Sequence, residues 1–73
     1  MTDIEQVKNE YHKEMTRLLS GIPEALQAFE RAWQSGKFRE AHLIVHDTVR
    51  QLDLKLSTEQ EKIRESFYWL FVN

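Results

Sequence analysis

The sequence predicts a small all-α protein, an antiparallel three- to four-helix bundle forming one domain over residues 1–73. Three observations carry that reading. Apolar residues recur three or four apart through most of the chain, the spacing that lines one face of a helix. The two Gly and the single Pro fall between the periodic segments and not inside them. No stretch alternates apolar and polar residues as a half-buried strand does.

The first helix is expected over residues 3–19. Ile4, Val7, Tyr11, Met15, Leu18, Leu19 and Ile22 fall in one narrow stripe at about 100° per residue, and Thr2 or Asp3 can cap its start. Ser20-Gly21-Ile22-Pro23 breaks it. Gly21 suits the left-handed position after a helix and Pro23 the first turn of the next. The turn is short, so the first two helices should be antiparallel neighbours. The second helix, 23–35, carries Leu26, Phe29 and Trp33 as its large residues, with Ala25, Ala28 and Ala32 beside them to let another helix approach closely. Gly36 ends it, and a third helix follows over 38–55 with Phe38, Ala41, Ile44, Val45, Thr48, Val49, Leu52 and Leu56 inward. Ser57-Thr58-Glu59-Gln60-Glu61 reads as a capping box, with the Thr58 hydroxyl accepting a free amide and Glu61 reaching back. The fourth helix then covers 59–71, with Ile63, Phe67, Leu70 and Phe71 inward. An up-down bundle is the expected architecture, and a pair of helical hairpins stacked as in a solenoid is the alternative.

Size and composition narrow the function classes. A 73-residue chain is near the lower limit at which one core offsets the entropy lost on folding, and with no cysteine neither a disulfide nor a thiolate metal site supports it. Ten basic and twelve acidic residues give a formal charge of −2, without the clustered Lys and Arg that nucleic acid or an anionic membrane requires. The longest apolar run, Phe67 to Val72, is far short of the roughly 20 residues that span a bilayer. The opening "MTDIEQVKNE" lacks the pattern of a signal peptide. A cytoplasmic location is expected.

Two chemical readings rest on histidine. His42 and His46 are one turn apart, and Asp53 lies seven residues past His46, so the three share one flank of the third helix within about 40° of arc and could hold a divalent ion. No Cys and no fourth ligand accompany them; solvated polar residues beside a core face are the plainer account, and no metal site is expected. Alternatively, an exposed His42 could accept a phosphoryl group, as in histidine phosphotransfer domains, whose motif "AH" at residues 41 and 42 begins; the following "LIVHD" lacks that family's basic residue and small position. No glycine-rich phosphate loop is present, no cofactor is implied, and a chain this short has little volume for a catalytic pocket. An enzyme is not expected.

Surplus apolar surface points to binding. Leu43 and Leu54 point away from the inward stripe of the third helix, among Arg39, Asp47 and Arg50; Trp69 and Val72 lie on the Lys62 and Glu65 side of the fourth, with Tyr68 between the two arcs. Exposed aromatic patches tend to mark interaction sites. A central fourth helix wrapped by its neighbours would instead hide these residues. Trp69, Val72, Tyr68, Leu43 and Leu54 are therefore the candidate partner-binding residues.

"SGKFREAHLIVHDTVRQLD" resembles the second half of a tetratricopeptide unit through Gly36, Phe38 and Ala41 at a tight turn between helices. A longer likeness covers residues 25–71. A helix, the turn "SGKFREAH", "IVHDTVRQLD" closing in Leu52-Asp53, and "IRESFYWLF" together resemble the flagellar export chaperone FliS family, with Ile63, Phe67, Leu70 and Phe71 standing where that family has an Ile, two Leu and an aromatic. "STEQE" replaces the family's Gly-Gly, and the chain stops where the family continues. The resemblance implies a helical bundle that wraps, or is wrapped by, a helical segment of an exported protein. The resulting expectation is a non-enzymatic chaperone or adaptor that binds a partner's amphipathic helix or forms a homodimer, which would enlarge the small core. A small inhibitor that docks on an enzyme is the runner-up.

Overall fold

The computed structural model describes residues 3–72; Thr2, one of the two expected caps, lies outside them. The described chain forms helices α1 (Ile4–Leu19), α2 (Pro23–Gln34), α3 (Phe38–Leu52) and α4 (Thr58–Phe67), and α4 runs directly into a π-helical turn, Tyr68–Val72. Consecutive helices pair, α1 with α2 and α2 with α3, while α1 also packs on α4 and the π turn on α3. Packing of the first helix against the last closes the helices on one another, which is the geometry of a bundle and not of openly stacked hairpins.

Local chemistry sets the boundaries. Asp3 caps α1 by accepting a hydrogen bond from the Gln6 amide at 3.2 Å. At the end of α2 the amides of Gly36 and Lys37 donate to the Trp33 and Ala32 carbonyls at 3.0 and 2.9 Å, a Schellman closure that requires the positive φ of 74° found at Gly36. Gly21 does not adopt the left-handed conformation expected of it: Ser20 continues the helical backbone, and the turn is closed by the Ile22 amide on the Leu19 carbonyl at 2.8 Å.

Helix α3 stops earlier than its apolar spacing suggests, at Leu52 instead of Lys55. Asp53 takes φ 51°, a conformation that Asp tolerates better than most residues. The Leu54 amide then closes a second Schellman motif on the Val49 carbonyl at 3.0 Å. The capping box of α4 sits one residue before the expected position: the Ser57 hydroxyl accepts from the Gln60 amide, and the Gln60 side chain accepts from the Ser57 amide. Ser57, with extended backbone, has the conformation an N-cap needs, whereas Thr58 is already helical.

Every helix contributes to the core. Tyr11, Met15, Leu19, Phe29, Val45 and Phe67 are fully buried. Tyr11 and Phe67 stack face to face, with centroids 3.7 Å apart and planes 6° apart. Trp33 lies 5.8 Å from Tyr11 and 5.5 Å from Phe67, so one aromatic stack joins α1, α2 and α4. The stack gains chiefly from dispersion and buried area, because a face-to-face pair forgoes the quadrupole gain of an offset one.

Three residues expected inward are exposed. Ile4 stands on the first turn of α1 and Leu52 on the last turn of α3, where the neighbouring helices offer no cover. Leu70 is turned out by the π turn. Hydrogen bonds from i to i+5 place more residues in each turn than an α-helix has, so after Phe67 the side chains that return to the core are Phe71 and Val72.

Candidate functional site

Two clefts adjoin along the seam where α3 meets α4 and the π turn. One, of about 470 Å³, is lined by Arg39, His42, Leu43, His46, Tyr68 and Val72. The other, of about 300 Å³, is lined by His42, Glu61, Arg64, Glu65 and Tyr68. His42 and Tyr68 are common to both, so the two form one groove divided at that pair.

The groove gathers most of the residues that the sequence put forward for binding. Leu43 on α3 and Tyr68 and Val72 on the π turn line the same cleft, although nothing in the sequence places Leu43 beside the chain's end. Trp69 is 61% exposed and packs edge-on against Tyr68, with ring centroids 5.8 Å apart; it therefore extends the apolar surface beside the groove. Val72 was expected on the outer side of α4, but it is half-buried and packs on the core with its remaining surface in the cleft. Leu54 was expected on the outer side of α3; it is half-buried just past the helix end, outside both clefts.

His42 is the floor of the groove. It is 8% exposed, which corrects the expectation of a solvent-facing phosphoryl acceptor: on α3 it shares the inner arc with Ala41 and Val45. Its Nδ1 lies 3.3 Å from the Tyr11 hydroxyl. Burial raises the Tyr11 pKa far above that of an ordinary phenol, partly offset by Arg64, so the hydroxyl stays protonated and donates. Burial also lowers the His42 pKa, and the Arg64 guanidinium and the His46 ring lower it further. A neutral imidazole accepting from a neutral phenol satisfies both buried groups.

Arg64 bridges α4 to α3. Its Nη2 donates to His46 Nδ1 at 3.4 Å and its Nη1 to Glu61 Oε1, also at 3.4 Å, while its buried Nε has no hydrogen-bond partner. A guanidinium only donates, so His46 Nδ1 is the acceptor in this contact. His46 is exposed and its ring stacks at 6.4 Å on His42. Asp53, the third residue of the flank weighed for a divalent ion, is the left-handed residue that ends α3. Among the described residues no three His, Cys, Asp or Glu side chains are grouped to hold a metal ion.

Comparison with protein-family models, curated proteins and solved structures gives no match. The groove thus stands on its own geometry. Sequence reasoning missed Arg39, His42 and Arg64 as parts of one site. The signal available for His42 was its place one residue after Ala41 and three before Val45, on the arc that α3 buries.

A second polar cluster joins α1 to α2. His12 Nε2 lies 2.7 Å from Glu30 Oε1, close enough for an ion pair but off the line of a ring N–H hydrogen bond. The same carboxylate oxygen accepts from the Thr16 hydroxyl at 3.2 Å. It lines neither cleft of the groove and is read as part of the helix packing. No helix among the described residues is long and apolar enough to cross a membrane.

Proposed function

We propose that the protein works by binding another protein, without catalysis, and that the groove between α3 and the π turn receives an amphipathic helix of the partner. The observation that carries this reading is the convergence of Leu43, Tyr68 and Val72 on one cleft, beside an exposed Trp69. Exposed Trp and Tyr are enriched among the residues that dominate binding energy at protein interfaces, and helix-in-groove recognition seats a partner's apolar stripe on anchor residues of this kind. The π turn adds support, since such turns cluster at functional positions. His42, the residue most open to a catalytic reading in the sequence, is buried and committed to Tyr11.

A chaperone, an adaptor or an inhibitor docked on an enzyme would all use the groove in this way, and the resemblance to the FliS family favours the first. The direct test is photo-crosslinking in the native cell from a benzoylphenylalanine placed at position 43 or 69, with position 13 as the control outside the groove. The reading expects a discrete adduct with another protein from 43 and 69 and none from 13. An adduct at twice the chain's own mass would replace the partner by a second copy, and equal labelling from all three positions would sink the groove as a binding site.

A further inference from the structure

The groove carries charge as well as apolar surface, and the charge is divided. No carboxylate lines the larger cleft, whose titratable side chains are Arg39, His42, His46 and Tyr68. Carboxylates appear only beyond the His42–Tyr68 divide, where Glu61 and Glu65 line the smaller cleft with Arg64. Glu61 is paired there with Arg64. Arg39 is exposed and has no carboxylate within ion-pairing distance among the described residues. Behind His46 stands the guanidinium of Arg64, itself paired with Glu61.

Resting on the protein-binding reading above, we infer that the partner is a helical segment carrying Asp or Glu beside its apolar stripe, seated with those carboxylates against Arg39 and His46 and its apolar residues on Leu43, Tyr68 and Val72. Charge complementarity of this kind selects the partner and its direction more than it adds affinity. A carboxylate flank on the other side of the helix would face Glu65 and be repelled, so only one orientation satisfies both clefts.

The test uses the full chain, immobilised, and a phage-displayed library of helical peptides. Enriched peptides should share an apolar stripe with Asp or Glu on one flank, lose binding with Leu43→Glu, and bind Arg39→Glu at least about tenfold more weakly, because like charges placed in register repel strongly. Raised salt should weaken them as well. Circular dichroism must show unchanged helicity in both variants. Peptides that require Leu43 but carry no acidic flank would overturn the acidic partner and leave the groove standing. Enrichment indifferent to Leu43→Glu, or no enrichment at all, would overturn the groove itself. A concentration-dependent dimer dissolved by Leu43→Glu in sedimentation equilibrium would assign the surface to a second copy instead.

Discussion

The aromatic stack and the groove are built from neighbouring residues of the same elements and obey opposite rules. On α3, Ala41 and Val45 are fully buried, whereas Leu43, two residues from each, is 46% exposed. On the other wall, Phe67 is fully buried against Tyr11, and Tyr68 and Trp69 immediately after it face outward. The stack spans three helices; the larger cleft of the groove sets Arg39, His42 and His46 beside Leu43, Tyr68 and Val72. Between them lies His42, which touches Tyr11 below and opens on both clefts above. A residue pair only one position apart can therefore belong to different functions when one helix wall serves both the core and a surface.

The comparison breaks most completely at Phe67. Phe67→Ala removes the ring that closes the stack and should cost about 3–5 kcal/mol. A 73-residue domain has only about 4–11 kcal/mol to lose, at roughly 0.05–0.15 kcal/mol per residue, so urea denaturation followed by circular dichroism should find a barely stable or unfolded chain. Retention of the wild-type midpoint would show that the stack is not the centre of stability.

Tyr11→Phe is milder and sharper. It keeps the stacked ring and leaves His42 Nδ1 without its donor, which should lower stability by about 1–2 kcal/mol. No change in the denaturation midpoint would mean that the hydroxyl contributes nothing to joining the stack to the groove.

Acidity probes the same boundary. The fold holds the His42 pKa below its ordinary value, so the unfolded chain takes up the proton first. Stability from this group is therefore complete above an unfolded pKa of about 6.5 and declines as pH falls below it. Urea midpoints should drop between about pH 7 and pH 5.5, and His42→Gln should flatten that part of the profile. An unaltered slope in the variant would remove His42 as its source.

The smallest effect is expected on the groove side. Trp69→Ala, at a residue 61% exposed, should shift stability by no more than about 0.5 kcal/mol while weakening partner binding. Loss of the fold would move Trp69 from the surface to the core.

Much of this was legible residue by residue. The stripe of Val7, Tyr11, Met15 and Leu19 is the α1 core face, because helical periodicity is a local property that burial simply follows. Phe67 reads as core for the same reason. Leu70 and Val72 exchange their expected roles because the i to i+5 turn, which the sequence does not announce, changes the residues per turn at that point. Likewise Ser57, and not Thr58, caps α4, since two adjacent hydroxyl residues are equivalent to any pattern and only the backbone conformation chooses between them.

By itself the sequence determined an all-α chain, its helix faces and the residues left over as candidates for binding, all of which depend on spacing within single helices. Only the tertiary structure decided that Leu43 joins Tyr68 and Val72 in one cleft, that Asp53 ends α3 and leaves the two histidines, and that Arg64 lies against His46 across the seam. The contacts of Leu43 and Arg64 join residues 18 or more positions apart, and no local period encodes which helix wall a given side chain will meet.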